Sequence, residues 1–203
     1  SPLFDAEVAV CKLQTVEQRL PNESLVDLDE QVGQYGGTWR RGFTGPSDYN
    51  NYVRVVFDGL VRFSPDGSKV MPKVAKGWEN SADFKVWTVL LREGAKWSDG
   101  QPFTADDILF WYDNVLLNKD VTPALPKWMK NKDGSVAKVE KDGDYAVKFT
   151  YAEPNTLFLY ELANKDGGDR TFAPFLPAHY LKQFHPNFAK QADIDKLVAD
   201  AKF

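Results

Sequence analysis

Residues able to do covalent chemistry are few in this chain. It has one cysteine, Cys11, and two histidines, His179 and His185. A serine or cysteine nucleophile needs a positioned base and a third group to orient that base. Cys11 lies in a polar N-terminal stretch with no histidine near it, and no Gly-x-Ser-x-Gly elbow occurs. Cys11 therefore reads as an ordinary surface or packing residue, and a single cysteine excludes an internal disulfide. The histidines are six positions apart, not the four that would stack them on one helical face, and Pro186 ends any helix at His185. No metal site and no cofactor is expected. Gly36, Gly37, Gly42 and Gly45 do not form Gly-x-Gly-x-x-Gly, so no phosphate cradle is expected either. Glycoside hydrolysis needs two carboxylates across a sugar. Asp106 and Asp107 are adjacent, point differently on a helix and read as capping groups. Asp27, Asp29 and Glu30 read as a solvated charge run.

Binding is better served than catalysis. Six tryptophans are present. Trp87 alternates with Val89 and Leu91 and belongs to a core, which Trp78 and Trp97 flank. Trp111 shares a helical stripe with Ile108, Tyr112 and Val115. Trp128 differs, because it sits in the proline-punctuated segment Thr122-Pro-Ala-Leu-Pro-Lys-Trp-Met129. An aromatic on such a loop either stacks on a ligand or folds back onto the core. The loop Thr44 to Asn51 is the second candidate. It gathers Gly45, Pro46, Ser47, Asp48, Tyr49 and Asn50 between a strand and a helix, and either lines a cleft or merely connects.

The elements that must position these residues are legible from pattern. An irregular amphipathic helix is expected over 3–13, an extended acidic lead-in over 21–34, a turn at Gly36-Gly37 and a short strand over 38–43. Val53, Val56, Phe57 and Leu60 have helical spacing, which predicts a helix over 52–63, followed by the turn Ser64-Pro-Asp-Gly67. Lys85 to Arg92 is the clearest strand. Thr104-Ala-Asp-Asp107 has the pattern of a helix start, with a side-chain oxygen for a free N–H and carboxylates at the positive end of the dipole, and the helix should run to about Leu117. A hairpin is expected over 136–151 around Lys141-Asp-Gly-Asp144, with helices over 155–163, 178–184 and 193–201. Local strands mixed with capped helices, without regular βαβ alternation, indicate a mixed α+β or α/β fold.

Composition bounds the rest. The chain has 203 residues, is 43% hydrophobic and 14% aromatic, and carries a formal net charge of −4. It can bury a core, is not a disordered tail, and advertises no basic face for nucleic acid. Its longest apolar run, Ile108 to Tyr112, is far too short to cross a bilayer, and Ser1 to Asp5 has no signal-peptide character.

Three stretches together resemble the family 5 extracellular solute-binding proteins, the oligopeptide- and dipeptide-binding proteins of bacterial ABC importers. They are Val56-Phe-Asp-Gly-Leu-Val-Arg-Phe63, Pro72-Lys-Val-Ala-Lys-Gly-Trp-Glu-Asn-Ser81, and the run from Val86 through Arg92, Trp97-Ser-Asp-Gly100 and Thr104 to Asp107. The resemblance covers most of Trp39 to Ala163. It implies the N-terminal portion of a periplasmic-binding-protein-like type II lobe with a small α+β domain inserted. Residues 1–46 would start lobe I, 47–155 would be the inserted domain, and 156–203 would return to lobe I, with the second lobe outside this chain. It further implies a monomeric receptor, periplasmic or extracellular, with or without a lipid anchor to the cell membrane, that captures a peptide or oligosaccharide for the membrane subunits of an ABC permease. Nickel complexes and opines are other ligands of the family. The ligand contacts it implies are Gly45, Pro46, Ser47, Asp48, Tyr49 and Asn50 and, in the segment Pro123 to Trp128, Leu125 and Trp128. Two other readings stay open: a secreted carbohydrate-active enzyme using Asp48 or Asp107, and a peptide-binding chaperone or signalling receptor on the same scaffold.

Overall fold

The β-rich stretch at 85–92 forms the middle of the fold. In this computed structural model, which describes residues 4–26, 33–45, 48, 58–164 and 174–201, the strands are β1 (Val61–Phe63), β2 (Val70–Pro72), β3 (Ala75–Asn80), β4 (Val86–Leu91), β5 (Lys138–Lys141) and β6 (Ala146–Thr150). The α-helices are α1 (Asp5–Ala9), α2 (Val16–Arg19), α3 (Ala105–Phe110), α4 (Phe158–Ala163), α5 (Ala178–Leu181) and α6 (Gln191–Asp200). The expected mixture of helix and sheet is what the chain forms.

Strands β3, β4, β6 and β5 pair in that order as one antiparallel sheet. Alternation along β4 turns Trp87, Val89 and Leu91 to one face, and the register sets Trp87 opposite Phe149 and Val89 opposite Val147. That face is closed by Ile108 and Trp111, which are fully buried, and by Phe158 of α4. Burying each such side chain is worth about 1.5–3 kcal/mol, so this one cluster carries most of the apolar stabilisation.

Local chemistry explains the ends of these elements. At the start of α3 the Thr104 hydroxyl accepts from the Asp106 amide at 3.3 Å, and Asp107 Oδ2 accepts from the Thr104 amide at 3.0 Å. This is the expected capping box. Beyond Phe110 the helix widens into a π-helix over Trp111–Leu116, with the Leu117 amide reaching back to the Tyr112 carbonyl at 3.0 Å. Widening disturbs the usual carbonyl pairing, and side chains step in. Asn114 Nδ2 donates to the Phe110 carbonyl, and the buried Thr122 hydroxyl donates to the Val115 carbonyl at 2.7 Å.

The turn at 64–67 forms as expected. The Gly67 amide donates to the Ser64 carbonyl at 2.8 Å, with Gly67 at φ +71. Asp66 accepts from the Ser64 hydroxyl at 2.6 Å and from the Ser68 amide and hydroxyl. These donors, the Ser64 hydroxyl foremost, pull the Asp66 carboxyl from its ordinary 3.8 down to about 2. A depressed carboxyl contributes stability that is complete above pH 3.8 and is lost as the pH falls towards 2. NMR titration of Asp66 should give a midpoint near 2, with the Ser68 amide moving in step. A midpoint at the ordinary value would mean the turn is open in solution.

Several expectations are corrected. The predicted helix over 52–63 lies partly outside the described residues, and its end is strand: Val61–Phe63 pairs antiparallel with Val70–Pro72 across the turn. Helical spacing over 53–60 could not report a pairing partner that lies beyond the turn. Strands β2 and β3 were not expected at all, because Lys73, Lys76, Gly77 and Glu79 dilute their apolar signal. The expected strand over 38–43 has no ladder among the described residues, and Trp39 and Phe43 stand 75% and 68% exposed. The helix expected over 3–13 shortens to α1.

The N-terminal lead-in is strapped to the sheet. Arg92 donates to the carbonyls of Glu23, Ala75 and Lys73, and the Asn22 amide donates to the Glu93 carbonyl. At Gly94, φ is +80 and a Cβ would lie 3.1 Å from the Asn22 nitrogen, so this close approach requires glycine.

Candidate functional site

The two candidate segments are held in different ways. In the loop after the expected first strand, the Asp48 carboxylate accepts from the Thr44 amide at 3.2 Å and from its hydroxyl at 3.5 Å, while the Asp48 amide donates to the Gly45 carbonyl at 2.9 Å. Asp48 thus closes a small turn over Gly45, whose φ of +140 favours glycine. Pro46, Ser47, Tyr49 and Asn50 lie outside the described residues.

The second segment folds inward. Trp128 sits on a 3₁₀ turn, Lys127–Met129, and is 5% exposed. Its ring stacks on Trp111 with planes 9° apart and centroids 6.0 Å apart, and it meets Phe149 and Phe158 at 6.4 and 6.2 Å. Leu125 is partly buried against the same core. Of the two roles open to an aromatic on this loop, the ring takes the packing role, because the wide π-helical turn presents Trp111 as a flat partner.

Beside Trp128 a cleft of about 260 Å³ opens between residues 127–132 and the chain that leaves β6, residues 151–161. Pattern reading missed it, since no motif marks it. Its lining includes Tyr151, which is 4% exposed and whose hydroxyl has the Asn155 side chain as its hydrogen-bond partner. Burial pushes the Tyr151 hydroxyl pKa upward, opposed by the neighbouring Asn155 side chain, so the group is a neutral donor.

Asp107 is the most heavily bonded carboxylate of the region. It is 4% exposed, and accepts from Trp97 Nε1 at 3.1 Å, from the Thr104 amide at 3.0 Å and, through Oδ1, from the Ala178 amide at 3.0 Å. Its own carbonyl accepts from the Leu176 amide at 3.2 Å. It caps α3 as expected and in addition clamps the start of α5. Those bonds occupy it fully, which suits a brace rather than an acid or base. His179, the first residue beyond that clamp, places Nε2 2.6 Å from Asp99 Oδ2. The Gln101 amide first, and His179 second, hold the Asp99 carboxyl below its ordinary range. Cys11 is exposed.

Comparison with known proteins places this geometry. A family model described as bacterial extracellular solute-binding proteins, family 5 Middle, matches residues 69–197, more than half of the chain. The chain is 32% identical over 88% of its length to the periplasmic alpha-galactoside-binding protein of Rhizobium meliloti (strain 1021), covering 28% of that protein. Among solved structures, an oligopeptide-binding protein OppA superposes with a TM-score of 0.85 at 41% identity, over 97% of this chain and 30% of that one. The periplasmic binding protein MelB in complex with stachyose, from Agrobacterium fabrum C58, superposes at 0.70 with 27% identity, over 95% and 32%. The chain therefore spans less than a third of the length of these relatives. A buried sheet with a capped helix across it and this match over most of the chain together lead to one assignment: the chain belongs to the bacterial extracellular solute-binding proteins of family 5.

Proposed function

We propose that the whole protein is the solute receptor of an ABC importer, closing two lobes on a peptide or an oligosaccharide and presenting it to the membrane permease. The observation that carries this reading is the likeness of almost the whole chain to an oligopeptide-binding protein at 41% identity. Relatives named for alpha-galactosides and solved with stachyose keep the oligosaccharide beside the peptide. In this reading residues 1–46 begin lobe I, 47–155 form the inserted domain and 156–203 return to lobe I. Phe158 in the sheet core, and the Asp107 bonds to residues 176–178, then brace the joint between inserted domain and lobe. The loop with Gly45, Pro46, Ser47, Asp48, Tyr49 and Asn50 supplies part of the ligand wall. Leu125 and Trp128 support that wall from behind.

The mechanism is a population shift. A ligand that touches both lobes binds the closed form more tightly than the open one and moves the equilibrium by that difference. Closure removes water, which strengthens the few polar contacts that set specificity. The protein acts outside the cytoplasm, where its relatives are named as periplasmic.

Thermal unfolding of the full-length protein against panels of peptides and oligosaccharides tests the reading. Ligand at a hundred times its Kd should add about 2.7 kcal/mol, a clear rise in Tm. No response from either class would overturn it. Release of reducing sugar by the purified protein would favour a carbohydrate-active enzyme instead.

A further inference from the structure

We propose that Asp142-Gly143, in the turn between β5 and β6, is a site of spontaneous backbone modification, in which the aspartyl residue isomerises to isoaspartyl through a cyclic imide. The site is independent of the receptor reading, because it rests on the turns of this chain alone. Asp-Gly pairs occur at 58, 66, 99, 133, 142 and 166, and all but the last lie among the described residues. In such a pair the glycine nitrogen attacks the aspartyl Cγ. A carboxyl oxygen leaves as water, taking the amide proton and the carboxyl proton with it. Water then adds to either carbonyl of the ring. Opening at the side-chain carbonyl restores aspartate, and opening at the main-chain carbonyl leaves the chain running through the β-carboxyl. Glycine favours the attack because it has no Cβ to crowd the nitrogen.

Three of the described pairs are locked at both reacting groups. The Gly67, Gly100 and Gly134 amides donate to the carbonyls of Ser64, Trp97 and Asn131 at 2.8, 2.9 and 3.0 Å, so each attacking nitrogen has its proton engaged within its own turn. The carboxyls are held as well. Asp66 accepts from the Ser64 and Ser68 hydroxyls, Asp99 from the Gln101 amide with His179 beside it, and Asp133 from the Ser135 hydroxyl at 2.6 Å and amide at 2.8 Å. These partners keep all three carboxyls below their ordinary range, whereas ring closure consumes the neutral acid. Asp58-Gly59 is held through the backbone. The Gly59 carbonyl accepts from the Val74 amide at 3.3 Å, and the next residue, Leu60, is fully buried with its carbonyl accepting from the Lys73 and Ala75 amides.

Asp142-Gly143 has neither lock. Gly143 stands at φ +77 with no atom within 4 Å of where a Cβ would be, and its amide has no hydrogen-bond partner among the described residues. The Asp142 side chain is 52% exposed and meets only Lys148 Nζ, at 2.7 Å. An ion pair at the surface contributes little and opens readily. Nitrogen and carboxyl are therefore free to meet. The product adds an atom to the main chain of a tight turn. In that turn the Asp142 amide donates to the Ala146 carbonyl at 2.9 Å, and the Asp144 carbonyl accepts from the Ala105 amide, at the start of α3, at 2.8 Å. The change therefore bears on the capped helix as well as on the hairpin.

The test is to age the folded chain at neutral pH in water enriched in heavy oxygen, digest it with trypsin in ordinary water and weigh the peptides. Each imide that opens takes up a heavy oxygen, whichever isomer results. The peptide Asp142–Lys148 should gain label about tenfold faster than those carrying Asp66, Asp99 or Asp133, where hydrogen bonds must break first. It should also outrun the peptide carrying Asp58. In concentrated guanidinium chloride the turns are lost, and the five sites should converge. Asp142→Glu, which would have to close a larger ring, should abolish the label in its peptide and so distinguish Asp142 from Asp144. Label at 142–148 no faster than at the other four sites, the same ranking in the unfolded chain, or label that survives Asp142→Glu would each overturn the proposal.

Discussion

Trp128→Ala is expected to cost about 3–5 kcal/mol of stability, the range for removing a large aromatic from a packed core. The ring fills the space between the stacked Trp111 and the edges of Phe149 and Phe158, and none of those neighbours can follow it. Phe158 is itself fully buried, and Trp111 is held by the π-helix. A hole of indole size would therefore stay open. Trp128→Phe keeps part of the contact and should lose roughly half as much, since cavity cost scales with the volume left empty. Urea denaturation of the two variants measures both. The outcome separates the two roles of the segment: an aromatic held out for a ligand would weaken binding while leaving the denaturation midpoint in place.

Asp107→Ala should be equally damaging, at about 3–5 kcal/mol, because three donors lose their acceptor at once. Trp97 Nε1, the Thr104 amide and the Ala178 amide would all be left without their partner beside a side chain that is only 4% exposed. For a chain of this length that corresponds to a fall in Tm on the order of 10 °C. Asp107→Asn keeps the shape, but turns an NH₂ towards a backbone N–H that also donates, so it should rescue only part of the loss. Asp106→Ala is the control. Asp106 meets Lys141 at 2.8 Å at the surface, and surface ion pairs contribute little, so this variant should be nearly silent. If the two alanine variants melt together, the clamp on residues 176–178 is not what holds this corner.

The same two residues show how far pattern could reach. The capping role of Asp107 was legible, since Thr-x-x-acid places both groups within one helical turn and the geometry is local. Its second role was not. Ala178 lies far along the chain, and no spacing rule links a helix start to an amide that arrives only when the fold closes. The cleft beside Trp128 was invisible for a related reason: it is made by two stretches joined only through the sheet, and neither carries a motif.

Short-range chemistry settled the turn at 64–67, the strand at 86–91, the capped helix from Thr104 and the hairpin of β5 and β6. In the turn, the helix start and the hairpin the deciding contacts fall within a few residues, and in the strand the alternation of its own side chains is signal enough, so composition and spacing contain them. The family resemblance, too, could be read ahead of any fold, from the order of tryptophans and turns between Val56 and Asp107. That Trp128 faces inward and that residues 61–63 form a strand was settled by packing and pairing with residues distant in the chain or beyond the turn. A proline-rich loop presents the same local signals whichever way its aromatic turns. What chooses the direction is the space that Trp111, Phe149 and Phe158 leave between them, and that space does not exist until distant segments have packed.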